Sequence, residues 1–291
     1  MAVDKNLFMY DLSVVAIMKN EAPYVKEWLD YHLLAGVDHF FIYDNDSPDN
    51  LHMVLQPYID AGLVTYTFYP DKCRQMESYI DAVHRFRFFS RYMAWIDGDE
   101  FIFPKSKPTI PEVVDEILSD KPNAAGLAVN IFGFGSNFQE TADYSRGVLE
   151  RFTRRAEDDY APISDSYPQL HGGHAVVKTI ANPRKVKVFH VPHCAQYFEK
   201  FYAVNEQGNV VPGYSSYPVS TEKIVMNHYS LKSREEYGKK VARGNADHFD
   251  NHYDVRNFEK NDHNEKFDDS ILKYRATRLD ALPQTGGVRM S

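Results

Sequence analysis

Apolar runs of strand length alternate with stretches of helical period over the first 130 residues. Leu12 to Met18 is a short apolar run, a buried strand by its length. Pro23 then stands at a plausible first helical position, and Tyr24, Trp28, Leu29 and Leu33 recur at helical spacing until Gly36 closes the segment. His39 to Tyr43 predicts a second strand. Leu51 to Ala61 predicts a helix interrupted at Pro57 and ended by Gly62. Leu63 to Tyr69, rich in aromatic and β-branched residues, is a third strand. Met76 to Phe89 is helical, Tyr92 to Ile96 is a fourth strand, Pro111 to Leu118 a short helix, and Ala125 to Asn130 a further strand.

This order predicts an α/β fold: a mostly parallel sheet with helices on both faces. Ligands of such sheets bind beyond the carboxyl ends of the strands. Three polar clusters fall on that rim: Lys19-Asn20-Glu21, Asp44-Asn45-Asp46 and Asp97-Gly98-Asp99. After residue 132 the pattern loosens. Gly133, Gly135 and Ser136 suggest a tight loop, and Glu150 to Ser166 is charged and weakly patterned. His174 to Ile180, Val186 to Val191 and Ile224 to Tyr229 read as strands. Ser233-Arg234-Glu235-Glu236 is a capping box that opens a helix reaching Arg243 and stopping at Gly244. The remaining tail is polar, with a helix expected from Ser270 to Leu279.

The composition is that of an ordinary globular chain of 291 residues, 43% hydrophobic and 25% charged. A net charge of -8 argues against nucleic acid as a partner, since phosphate backbones reward basic surfaces. Cys73 and Cys194 are too few for a disulfide framework or a cysteine-rich zinc site. The segment Met1 to Tyr10 lacks the apolar run of a signal peptide, and no stretch approaches the roughly 18 apolar residues of a membrane span. A reducing, cytoplasmic location with at most peripheral membrane association is the expectation. Leu282-Pro283-Gln284-Thr285-Gly286 spells a sortase-like signal, but without the following hydrophobic segment it reads as a plain end.

The chemistry concentrates in Trp95 to Pro104, where an apolar run delivers Asp97, Asp99 and Glu100. Carboxylates avoid burial unless paired or bound to a cation. Asp97 and Asp99 point the same way if the chain is extended, so the pair asks for a hard divalent metal, magnesium, manganese or calcium, of which manganese or magnesium is the expected cofactor. Glu100 is expected to hydrogen-bond a neighbouring backbone group or a base rather than the metal. Of His190, His193 and His228, each near a strand end, His228 is the candidate third metal ligand. Lys232 sits just before a helix N-terminus, where free amides favour phosphate, and Arg243 lies on the same helix. Arg234 and Lys240 read as a solvated face. Asp44 to Asn50 fails as a calcium loop, with Pro48 and Asp49 where a ligand and a glycine are required; it is a turn, and Asp44 and Asp46 are candidates to hold a ribose or base. Gln75 is either a helix cap or a ligand contact, and Trp28 and Trp95 read as core.

Val14-Val15-Ala16-Ile17-Met18-Lys19-Asn20-Glu21, Tyr43 to Ser47, Trp95 to Phe103, and Asn227-His228-Tyr229 through Lys232-Ser233 to Lys240 and Arg243-Gly244 occur in an order that resembles glycosyltransferase family 92 and related family-2-like bacterial transferases with a GT-A fold. The resemblance implies a nucleotide-sugar donor, a divalent metal at an Asp-x-Asp motif matched by Asp97 and Asp99, and inversion at the anomeric carbon. Residues 1–135 would hold the donor through Lys19, Asn20, Glu21, Asp44, Asp46, Gln75 and Asp97. Residues 136–245 would form the acceptor side of the same domain, and 246–291 a helical, partly disordered tail. His228 would be a metal ligand, and Lys232 and Arg243 would face the leaving diphosphate, which is expected to be a uridine one. A glycan or glycolipid would be the acceptor. The base stays open among Glu140, Asp143, Glu150 and His171. A metal-dependent phosphohydrolase and a non-catalytic nucleotide- or sugar-binding module are the alternatives.

Overall fold

The computed structural model describes residues 5–164, 167–244 and 254–282. In chain order the elements are β1 (Tyr10–Met18), α1 (Ala22–Leu34), β2 (His39–Asp44), α2 (Leu51–Asp60), β3 (Val64–Phe68), α3 (Gln75–Phe86), β4 (Ser90–Trp95), β5 (Glu100–Pro104), α4 (Ile110–Leu118) and β6 (Ala124–Gly133). There follow α5 (Val148–Arg151), β7 (Arg154–Arg155), β8 (Val177–Ala181), β9 (Val186–Val191), β10 (Cys194–Tyr197), β11 (Tyr202–Val204), β12 (Val210–Val211) and β13 (Ile224–His228). The chain closes with α6 (Arg234–Arg243), α7 (Val255–Asn261), β14 (Lys266–Phe267) and α8 (Ser270–Asp280).

The expected α/β sheet is present. Its order is β12-β11-β6-β8-β4-β1-β2-β3, with β13 joined to β6 and β5 joined to β13. Strands β4, β1, β2 and β3 are mutually parallel, and β8 runs antiparallel between β4 and β6. Region 136–220 therefore extends the same sheet through β8, β11 and β12 rather than folding apart.

Strand β1 is a continuous apolar run because both of its faces are covered. Leu12, Val14, Ala16 and Met18 pack with Trp28, Leu29, Phe40 and Ile42 on one side. Val15 and Ile17 pack with Tyr79, Val83, Met93, Trp95 and Phe189 on the other. Trp28 and Trp95 are both core, as expected. Burying each such side chain contributes about 1.5–3 kcal/mol.

The sequence pattern conceals β5, whose five residues pass as the flank of the acidic run. Among the described residues it pairs with β13 alone. Helix α1 satisfies its other side: Trp28 Nε1 donates to Glu100 O (2.7 Å), Tyr31 Oη to Ile102 O (3.0 Å), and Ile102 N donates to His32 Nε2 (3.2 Å). Positions 28, 31 and 32 share one helix face, so one face closes an edge that would otherwise present bare backbone groups. Helix α1 ends before Gly36, whose φ of +96° suits glycine; a Cβ there would meet Thr109 Cβ at 2.8 Å. Helix α8 lies where a tail helix was expected and docks on α1, with Ile271 buried and Arg278 Nε donating to Leu34 O. Of the sortase-like signal, only Leu282 is among the described residues.

Candidate active site

Strand β4 carries buried Trp95 and Ile96 to the rim, and the chain then turns, Glu100 N donating to Asp97 O (3.1 Å). Asp97-Gly98-Asp99 is thus not extended, and its two carboxylates serve different partners. This corrects the expectation of a parallel pair. Asp97 Oδ2 accepts from Lys178 Nζ (2.8 Å), and its Oδ1 from Gln75 Nε2 (2.6 Å) and Tyr79 Oη (3.3 Å). Asp99 Oδ1 lies 3.3 Å from His228 Nε2, and its Oδ2 accepts from Lys240 Nζ (2.7 Å). Of the two partners expected for Glu100, a backbone group or a base, the structure shows the first: its Oε2 accepts from Asp97 N (2.9 Å).

Lys178 explains the divergence. It stands on β8 with its side chain 1% exposed, 2.8 Å from Asp97 and 3.2 Å from Glu100. A buried ammonium requires such counter-charges. Burial pushes the lysine down, Asp97 and Glu100 push it up, and the net is well above the usual lysine range. Burial likewise raises Asp97, but Lys178 brings the carboxyl below its ordinary range. For Asp99, Lys240 and His228 outweigh burial and hold it well below. His193 lies within electrostatic reach of Lys178; burial first, then that charge, lowers the ring to about 3 and keeps it neutral. Sequence reasoning passes over Lys178, although a lysine between Val177 and Thr179 in an apolar strand is the signal of a buried charge.

Lys240 is the second correction. Its place in a charged run suggests a solvated face, yet it reaches Asp99 and also donates to Ser230 O (3.1 Å). Residues 236, 237 and 240 share one face of α6, and Glu236 and Tyr237 are buried. Arg234 is exposed and paired with Glu140 and Glu259, as expected of a surface residue.

The capping box at Ser233 and Glu236 forms as expected and orients α6. Beside that helix opens a cleft of 420 Å³ lined by Asn20, Glu21, Tyr24, Lys232, Lys240 and Arg243, among others. Arg243 Nη1 bonds Glu21 Oε1 (2.5 Å). Lys232 is buried over the Tyr24 ring, 4.4 Å from its centroid, in the left-handed region at φ 54°. Burial, with Lys240 and Arg243 nearby, lowers its pKa despite Glu21 and Asp99. Three cations thus converge on one wall. Asn20 Oδ1 and Glu21 Oε2 are buried there with no hydrogen-bond partner among the described residues.

The other candidates distribute as follows. Lys19 contributes its carbonyl to Arg243. Asp44 braces its own loop, accepting from Ser47 N (2.9 Å) and Tyr66 Oη (2.7 Å), while Asp46 is exposed. Gln75 opens α3 and braces Asp97 rather than capping the helix. Glu140 is paired with Arg234 (3.0 Å), Asp143 with Ser145 (2.6 Å) and Glu150, on α5, with Arg275 (3.1 Å), all at exposed positions. His171 bonds Ala161 O and stacks on Tyr217 at 3.8 Å. None of these four lines the cleft.

Among the described residues no three His, Cys, Asp or Glu side chains are placed together to hold a metal ion. The expected trio of Asp97, Asp99 and His228 is therefore not assembled, because Asp97 is turned to Lys178. The Asp99–His228 pair does fit a hard divalent ion. An oxygen and an imidazole nitrogen 3.3 Å apart can be neighbouring ligands, and magnesium sites take one or two protein groups and complete themselves with phosphate and water.

The model of glycosyltransferase family 92 matches residues 14–271. A family 92 protein of Ricinus communis is 24% identical over 80% of this chain and 38% of its own length, so the chain spans well under half of that relative. Galactan beta-1,4-galactosyltransferase GALS3 of Arabidopsis thaliana is 31% identical over 32% of this chain and 20% of its own. The crystal structure of S. aureus TarS 1-349 superposes with a TM-score of 0.41 and 13% identity, covering 95% of this chain and 74% of that one. With the family pattern running through all three rim clusters and on to α8, this chain belongs to glycosyltransferase family 92.

Proposed function

We propose that this chain moves a sugar from a nucleoside diphosphate sugar, with uridine as the base, to a glycan acceptor with inversion, using a divalent cation at Asp99 and His228. The observation that carries the reading is the wall formed by Lys232, Lys240 and Arg243 beside the Asp99–His228 pair. A diphosphate is the ligand such a concentration of cations favours.

Asp99 and His228 would hold manganese or magnesium, which when bound supplies Lewis-acid neutralisation of the diphosphate. Lys232, on its rigid turn at the N-terminus of α6, points a desolvated ammonium at the cleft, where the helix dipole adds to its field. Lys240 and Arg243 lie further along the same helix and are placed for the charge that grows on the departing phosphate. Fixed donors aimed at developing charge stabilise the transition state, each typically by about 3 kcal/mol or a hundredfold in rate. Lys178, Gln75 and Tyr79 hold Asp97 still, and through the turn they fix Asp99. The name of the Arabidopsis relative makes a galactosyl donor and a β-galactan the first substrates to test. The phosphohydrolase reading weakens, since both Asp97 oxygens are committed to internal donors instead of standing free as a nucleophile.

The test is Asp99→Asn, assayed for release of nucleoside diphosphate across a panel of sugar donors with manganese. Turnover falls at least a hundredfold while the protein remains folded. Undiminished turnover contradicts the assignment.

A further inference from the structure

The end of the sheet opposite the acidic turn carries a second surface, which goes beyond the reading above. Parallel β1 and β4 begin there side by side, Tyr10 beside Ser90, and Tyr10 N donates to Phe89 O. Leu7, Met9 and Phe88, in the segments leading into these two strands, are 72%, 68% and 73% exposed, with Phe89 and Phe198 at 42%. Large apolar side chains this exposed and this close together mark an interaction site.

Cations ring them. Arg184 lies over the Phe8 ring (4.2 Å) and donates to Ser90 O and Arg91 O. Arg87 donates to Val186 O and lies 5.9 Å from the Phe198 ring. Phe198 N donates to Lys185 O, and Lys185 and Lys200 both sit over the Phe201 ring. These four cations are held by carbonyls and rings, and among the described residues none of them is paired with a carboxylate. Glu199, exposed between Phe198 and Lys200, is the one carboxylate in the Phe198–Phe201 segment. A basic patch on a chain of net charge -8 is a local feature, not a reflection of composition.

We infer that this surface docks on an anionic lipid bilayer, Leu7, Met9, Phe88 and Phe198 entering the headgroup layer and Arg87, Arg184, Lys185 and Lys200 facing lipid phosphates. Apolar tips beside cations that no carboxylate of the described residues pairs with match the two attractions of an interfacial anchor, buried apolar area and anionic headgroups. Projecting side chains on turns suit a soft interface, whereas a protein partner needs a complementary flat or hollow face. The six residues of β4 set the acidic turn about 20 Å from this end. Docked so, the protein is anchored while its cleft faces away from the lipid.

The experiment is co-sedimentation of the full chain with phosphatidylcholine vesicles with and without phosphatidylglycerol, at low and high salt. The protein sediments with the phosphatidylglycerol vesicles only, and less at high salt. Met9→Ser with Phe88→Ser, and separately Lys185→Glu with Lys200→Glu, each weaken binding tenfold or more with an unchanged thermal midpoint. Absence of sedimentation, equal binding to phosphatidylcholine alone, or variants that bind as tightly as the parent would overturn the inference. So would a dimer in solution that Met9→Ser with Phe88→Ser converts to monomer, which would assign the face to a second copy.

Discussion

At the scale of single residues the site depends on how three carboxylates in four positions share two buried or half-buried lysines. Lys178 is shared by Asp97 and Glu100, and Lys240 pairs with Asp99. Removing one member of a buried pair strands the others, at a typical cost of about 3–5 kcal/mol. Lys178→Met should therefore lower the unfolding free energy by about 3 kcal/mol in urea titrations, and adding Glu100→Gln should restore part of it. A Lys178→Met loss below about 1 kcal/mol would contradict the pairing. The acidic turn was legible in the sequence because apolar flanks force carboxylates to find partners. The partners were not legible. Lys178 lies 81 residues from Asp97 and Lys240 lies 141 from Asp99, distances over which neither periodicity nor spacing carries information. The prediction that Asp97 and Asp99 run parallel failed for the same reason: without Lys178 in view nothing turned Asp97 aside.

At the scale of elements, the long periodic pieces were readable and the short ones were not. Strands β1 to β4 and the helices between them follow from buried apolar runs and from Pro23, Gly36 and Gly62. The capping box of α6 was readable to the residue. Strand β5 was hidden, since its partner β13 lies more than a hundred residues away and its other edge is closed by side chains of α1. His32 is the titratable member of that closure. Its Nε2 accepts from Ile102 N while Nδ1 bonds Trp28 O, so the ring must be neutral. Burial lowers its pKa from 6.5 to about 3. Below pH 6.5 the unfolded chain takes up a proton that the folded chain refuses, so stability present above that pH is lost as pH falls toward 3. His39 and His174, both lowered to about 4 by burial, act in the same direction. His32 alone removes about 2 kcal/mol between pH 6.5 and about pH 5. His32→Gln, which donates and accepts without titrating, should flatten the pH dependence of the urea midpoint by about one proton. An unchanged slope would contradict the neutral-ring closure.

At the scale of the whole molecule, one sheet separates two surfaces by the direction of its strands. The carboxyl ends gather Asn20, Glu21 and α6 into a cation-walled cleft, with the Asp99–His228 pair joined to its wall through Lys240. The amino ends present the apolar and basic surface proposed to meet lipid. No helix among the described residues is long and apolar enough to cross a membrane. The general plan was visible early because β-α-β order dictates where a ligand lies. The extension of the sheet by β8, β11 and β12 was not, since those strands are short and separated by irregular loops. The central claim is that Asp99 and His228, beside Lys232, Lys240 and Arg243, hold a nucleoside diphosphate through a divalent ion. Calorimetric titration of uridine diphosphate into the protein, with and without manganese, tests it most directly. The account predicts binding at least tenfold tighter with manganese, and loss of that gain in Asp99→Asn. Equal affinity with and without the metal, or a manganese gain that survives Asp99→Asn, would contradict it.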